Sequence, residues 1–295
     1  MKISHGLEYI AIWSLTKLIQ LMPARVVDYV AVGLGKLSYM ILTSRRRIAF
    51  DNLDRAFKAE KNHLELKAIV KQVFVNVTRT TLEFARFPVL KREDILKMVY
   101  ESAGLEHIDK ALKEGKGLVF VSGHFGNWEL LGAWFVAMGY PTDFLVGEQH
   151  NPYVDRLMNR FRASSGVPMI PVGVSARHVL KALKQNRVVV LVSDQHSATG
   201  GTAVTFFGRP ASTPKGAAAF AELTGSPIVL ALLIREKYNR HRAVIGPLIY
   251  PPGSGDKDKD ITAITQEYTS QLEAMIRKHP EQWMWTHRRW KIDHK

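Results

Sequence analysis

The 295-residue chain contains no cysteine. That absence excludes disulfides, a thiolate nucleophile, cysteine-type zinc sites and iron–sulfur clusters, so a metal ion would have to be held by histidine and carboxylates. The chain also lacks an uninterrupted apolar run of the about 20 residues that a spanning helix needs. Of the two apolar stretches near the N-terminus, 9–22 and 26–42, Lys17 interrupts the first and Asp28 and Lys36 the second, with Arg25 between them. Acidic residues are scarce relative to basic ones, 27 against 41, for a formal net charge of +14. With 46% hydrophobic and 23% charged residues, the composition excludes a disordered chain, a collagen-like repeat and a multi-spanning membrane protein. No internal repeat is present. What remains is one large domain or two small ones, with ample chain to bury a core. The basic excess predicts an anionic partner: nucleic acid, an anionic membrane surface, an acidic protein or a phosphorylated substrate. Composition does not choose among them.

The first 44 residues read differently from 45–295, which form the main domain. Pro23 and Arg25 separate the two apolar stretches, and Arg45, Arg46 and Arg47 follow the second. Glu8 precedes the first stretch and no small-x-small site follows it, which argues against a cleaved signal peptide. The pattern predicts a membrane-associated helical segment, one tilted helix or a helical hairpin in the interface. Trp13, Tyr29 and Tyr39 would sit at headgroup level, with the arginines on the cytoplasmic lipid face. The alternative is an ordinary pair of packed core helices.

Beyond residue 62 the hydrophobic spacing predicts helices over 62–87 and 104–115, and then short apolar runs alternate with helical ones. Strands are expected at 117–121, 142–146, 168–172, 187–192 and 227–234. Helices are expected at 128–138, 153–164, 176–185 and 214–224, the last with Thr213 as N-cap and Pro214 as its first residue. A solvated loop at 251–260 precedes a final helix over 261–279. The alternation specifies an α/β fold with a largely parallel central sheet flanked by helices, in which sites lie at the carboxyl ends of strands.

The run 119–129, Val-Phe-Val-Ser-Gly-His-Phe-Gly-Asn-Trp-Glu, places His124 at such a strand end and Glu129 in the first turn of the next helix. In one continuous helix the two would lie roughly 140° apart; the turn through Gly126 lets them meet. A carboxylate accepting from one ring nitrogen leaves the other as a base aimed into the cleft. Gly123, Gly126 and the N–H groups that open the helix offer oxyanion donors. The competing reading is a capped helix start with a buried histidine. A second cluster, Ser193-Asp-Gln-His196, ends the strand at 187–192, so Asp194 is a further partner for His124 across neighbouring strands. His124, Glu129, Asp194 and His196 lack a recognised metal-ligand spacing such as H-E-x-x-H, and no metal is expected.

Residues 122–129 resemble the HxxxxE motif of the bacterial lipid A late acyltransferase family (lauroyl/myristoyl acyltransferases), within the lysophospholipid-acyltransferase-like superfamily. Relatives of that family include the mycobacterial mannoside acyltransferases. Stretches 44–53, 151–162, 193–195 with 200–213, and 280–290 resemble the same family in the same order. The resemblance implies transfer of a fatty acyl group from acyl-carrier protein, or acyl-coenzyme A, to a hydroxyl of a lipid A precursor at the cytoplasmic face of the inner membrane. It implies no cofactor beyond that donor. His124 carries over as general base, with Glu129 or Asp194 as its partner, and sequence leaves open which one orients the ring. Arg162 carries over as a residue near the substrate or the developing charge, and Gly126, Asn127 and Arg209 join it as substrate-binding candidates. The alternative acceptors are a lysophospholipid, an aminolipid or a mannoside.

Phe206 and Phe207 are candidates for the wall of an acyl groove, with Arg209 meeting a phosphate; the alternative is a strand-to-turn corner with a surface arginine. Trp283, Trp285 and Trp290, interleaved with His287, Arg288, Arg289 and Lys291, suit an anionic membrane interface. The alternative is a tail whose tryptophans pack on the domain. No nucleic-acid fold signature accompanies them, so nucleic acid is not an expected partner. His150, His178 and His241 are expected at the surface or in loops. Part of the +14 charge is thus assigned to the anionic leaflet and a phosphorylated glycolipid, and part to docking an acidic carrier protein.

Overall fold

The computed structural model describes residues 3–171, 175–237 and 239–290. Val172 and Lys291, which fall within two of the expected segments, lie outside these residues. The centre of the molecule is set by two short apolar runs, β2 (Leu118–Ser122) and β5 (Val188–Val192), paired in parallel. Such runs are stable only when both faces are covered. Val119, Val121, Val189 and Leu191 point into one core, and Leu118, Phe120, Val188 and Val190 into the other. Among the described residues a seven-stranded sheet grows outward from this pair, in the order β1, β9, β8, β2, β5, β3, β4. The added strands are β1 (Val99–Ala103), β3 (Thr142–Val146), β4 (Met169–Pro171), β8 (Ile228–Lys237) and β9 (Arg240–Ile245). All neighbours are parallel except β8 and β9, which form an antiparallel hairpin.

Helices cover both faces. The α6 (Leu105–Lys113), α7 (Trp128–Met138) and α8 (Pro152–Ser164) helices lie on one, with α5 (Arg92–Met98). On the other lie α3 (Thr43–Phe57), α4 (His63–Ala85), α9 (Ser175–Lys184), α10 (Gly216–Thr224) and α11 (Lys257–Lys278). Asn62 starts α4 with a capping box, its side chain accepting from Leu64 and Glu65 N–H while Glu65 returns to the Asn62 N–H.

The structure departs from the sequence reading in four places. Pro214 ends a strand instead of opening a helix, because β6 (Gly201–Phe206) and β7 (Arg209–Pro214) form a hairpin that pairs Gly201 with Pro214. The ladder hydrogen bonds win over the Thr-Pro helix signal, and α10 starts two residues later. The charged stretch expected to be loop already belongs to α11: Asp256 accepts from Lys259 N–H, and Asp258 and Asp260 sit favourably in the first turn. His241 is fully buried on β9, where burial, reinforced by nearby Arg235, depresses its pKa to about 4 and keeps it neutral. The C-terminal tryptophans are buried among Phe57, Phe206 and Phe207 rather than presented as a tail.

The N-terminal helices α1 (Ile3–Leu21) and α2 (Ala24–Ile41) dock on this body, α2 along α4 and α1 across α8 and α4. The α2–α4 approach is backbone to backbone: a Cβ on Gly35 would come within 2.6 Å of Val75 Cα. Their outer faces carry most of the exposed large hydrophobics among the described residues, including Leu7, Ile10, Leu21, Tyr29 and Met40. No single described helix is long and apolar enough to cross a membrane; α2 and α3 pass that test together, but with a 90° bend between them. Gly35→Ala should push α2 off α4 and cost about 1–3 kcal/mol. Urea denaturation checks this, and an unchanged midpoint would show that α2 does not depend on close approach.

Candidate active site

The parallel register pairs Ser122 with Val192, and Ser193 N–H continues the ladder by donating to Ser122 O at 3.1 Å. His124 and Asp194 therefore each lie two residues past matched strand ends. Asp194 is 2% exposed at its side chain and His124 22%. Asp194 Oδ1 accepts from His124 Nδ1 at 2.7 Å, while Oδ2 accepts from the His124 backbone N–H at 2.6 Å and from Trp283 Nε1 at 2.7 Å. A carboxylate only accepts, so Nδ1 carries the ring proton and Nε2 is left for a substrate. Trp128 packs edge-on against the ring at 5.1 Å. The Gln195 amide lies 3.4 Å from both ring nitrogens, a face-on placement rather than a directed hydrogen bond.

Burial opposes charge on His124, but the Asp194 carboxylate beside it outweighs burial and holds the imidazole pKa above its ordinary value. Burial likewise pushes Asp194 upward, and the opposed His124 charge with the donors on its oxygens brings it below the usual carboxylate range.

His124 opens into a cavity of about 820 Å³ between the ends of β2, β3 and β5 and the starts of α7 and α10. Its walls mix apolar side chains, Leu131, Phe144, Leu145, Leu191 and Phe220 among them, with polar ones that include His124, Glu129, Arg162 and Gln195. Glu129 and Arg162 face each other: Arg162 Nη2 donates to Oε1 at 2.7 Å and Nε to Oε2 at 3.0 Å. Asn159 accepts from the remaining guanidinium nitrogen at 2.9 Å, and Phe84 lies under the group. The bidentate fork takes both Glu129 oxygens, so Asp194 orients His124, and Glu129 fixes Arg162 and acts on the ring only through its charge.

Three other sequence candidates do not face the cavity. Gly126 N–H donates to Gln282 O and is not an oxyanion donor. Its φ of +57°, and the Leu233 O that would stand 1.8 Å from any Cβ, make glycine obligatory at this turn. Asn127 is buried, its Oδ1 capping α7 at Leu130 N–H and its Nδ2 donating to Glu83, so both ends are consumed by structure. Arg209 lies beside the hairpin turn and donates to Arg55 O, away from the cavity, because β6 and β7 aim it toward α3. Among the described residues no three histidine or acidic side chains gather to hold a metal ion. The sequence leaves Trp283 between a membrane-facing tail and a tail packed on the domain, and the structure shows the second; the alternation of Trp283 and Trp285, which fits a short extended segment buried on one side, is the signal for it.

An NMR titration of the His124 ring should give a midpoint above about 6.5. In Asp194→Asn the midpoint should fall below that value, because burial persists and the compensating charge is gone. A variant midpoint equal to that of the wild type would contradict the pairing.

Residues 3–292 match the profile of the bacterial lipid A biosynthesis acyltransferases. A phosphatidylinositol mannoside acyltransferase of Mycobacterium tuberculosis is 31% identical over 72% of this chain and 66% of its own length, so the match spans just under two thirds of that relative. The lipid A biosynthesis lauroyltransferase of Escherichia coli is 27% identical over 97% of this chain and 92% of its own. A distant structural likeness, with a TM-score of 0.40 and 12% identity over 88% of this chain and 99% of the other, links it to a 1-acyl-sn-glycerophosphate acyltransferase from Thermotoga maritima. With a match running almost from end to end, the chain belongs to the bacterial lipid A biosynthesis acyltransferase family.

Proposed function

We propose that the protein transfers a fatty acyl group from a carrier thioester to a hydroxyl of a membrane glycolipid, with His124 as general base. The observation that carries the reading is the imidazole pinned at Nδ1 by buried Asp194 while its ring opens into a cavity of about 820 Å³ with both apolar and polar walls. Nε2 takes the proton of the acceptor hydroxyl as the oxygen attacks the thioester carbonyl. The tetrahedral intermediate expels the thiol, which recovers that proton from the imidazolium, so no covalent acyl-enzyme forms. Trp128 and Glu129 line the cavity in the first turn of α7, where backbone N–H groups have no intrahelical partner and suit the developing oxyanion. Arg162, held rigid by Glu129, presents its guanidinium to an anionic part of the donor or acceptor. Acyl-carrier protein or acyl-coenzyme A is the donor in this reading, and no other cofactor enters.

The outward apolar faces of α1 and α2 support a seat on an anionic leaflet, at the cytoplasmic face of the inner membrane. The basic residues available for it are fewer than the sequence suggested. Arg289 is buried, donates to Ser212 and Thr213, and has its pKa lowered by burial to about 10. Arg46 folds over Tyr39, whereas Arg47 and Arg288 are exposed. A lipid A precursor is the leading acceptor, since the match to the lauroyltransferase spans nearly the whole chain. A mannoside acceptor is the second reading, supported by the 31% identity to the mycobacterial enzyme.

Purified protein incubated with each acceptor and a panel of acyl donors should yield a product heavier by one acyl chain. His124→Ala should cut that rate by about 10²- to 10⁴-fold in a folded protein. Near-normal transfer by the variant would exclude His124 as the base, and a product from the mannoside but not the lipid A precursor would select the second reading.

A further inference from the structure

We infer that the segment after α11, residues 281–285, is part of the catalytic apparatus, and that Trp283 is a positioning residue for the His124–Asp194 pair. The inference rests on His124 acting as the base. The segment lies antiparallel to the turn that carries His124, with Phe125 and Trp283 bridged. Gly126 N–H donates to Gln282 O and Met284 N–H to His124 O, both at 2.9 Å. The segment is itself tied down: the Gln282 side chain exchanges two 2.8 Å bonds with the Arg235 backbone, Asn76 donates to Glu281 O, and Asn52 donates to Trp285 O. The turn, which passes through positive φ at Gly126, is thus given a partner strand.

Within that frame the indole has one polar job. Trp283 is buried between Phe206 and Trp285, and its N–H ends on Asp194 Oδ2. Trp283 does not line the cavity, so it acts through Asp194. Two donors on Oδ2, the indole and the His124 backbone N–H, fix rotation about the carboxylate and present Oδ1 to Nδ1. The indole also draws negative charge toward Oδ2. Without it the carboxylate, still anchored by the backbone N–H, offers more charge to the imidazolium and holds its proton more tightly.

The decisive variant is the benzothienyl isostere of tryptophan at position 283, in which sulfur replaces the indole N–H and the ring volume is retained. Trp283→Phe serves as the genetically simple companion, with thermal unfolding as the check on folding. The NMR midpoint of His124 should rise by roughly half a pH unit in both. At neutral pH kcat should fall about tenfold, a part of what a general base contributes, with KM for the acyl donor unchanged within about twofold. A purely structural role would lower thermal stability and leave the His124 midpoint where it is. Wild-type midpoint and kcat in the folded isostere would overturn the inference. If the isostere moves the midpoint but the wild-type protein transfers no acyl group, the proposed function fails while the positioning role stands.

Discussion

The site depends on one buried carboxylate. Asp194 sits at the end of a central strand, almost without solvent, and stays ionised only because the donors gathered around it replace the water it has lost. An unpaired buried charge would cost several kcal/mol or simply take up a proton. The three donors come from the two segments that meet there, the His124 turn and the C-terminal segment. Anything that loosens the Ser122–Val192 register or the 281–285 segment therefore acts on the ionisation of Asp194, and through it on His124.

A second buried network supports the same turn from below. Glu83 on α4 pairs with Arg235 on β8, and it accepts from Asn127 Nδ2 at 2.6 Å. Arg235 also donates to Thr80 Oγ1, which in turn donates to Gly126 O at 2.8 Å. Burial raises the Glu83 pKa, but Arg235 outweighs it and holds the carboxyl below its usual range. A buried ion pair contributes little net stability, whereas removing one partner costs about 3–5 kcal/mol. Its value here is geometric: it fixes the residue that caps α7, and so the angle at which Glu129 meets Arg162. The motif carboxylate thus belongs to the arginine, and the strand-end carboxylate to the histidine.

Much of this was legible in the sequence, for identifiable reasons. The short apolar runs at 117–121 and 187–192 have the length of buried strands, and their alternation with helices specified a parallel sheet with His124 and Asp194 at its carboxyl edge. The β6–β7 hairpin was not legible, because Thr213-Pro214 carries a valid helix-start signal that only long-range pairing overrides. Nor was the partner of Glu129, since two carboxylates and one histidine admit either pairing until Arg162 arrives from a helix 33 residues away. For the C-terminal tryptophans the sequence admits both a membrane-facing and a packed tail; the pocket of Phe57, Phe206 and Phe207 that receives them is a long-range feature and decides between the two.

What joins these elements is the claim that a neutral His124, poised by Asp194, carries the rate. The pH dependence of single-turnover acyl transfer between about pH 5 and 8 tests it most directly. The rate should climb through a single midpoint that lies above about 6.5 and coincides with the titration of the His124 ring. A rate that is flat across that range, or that climbs through a midpoint unrelated to His124, would contradict it.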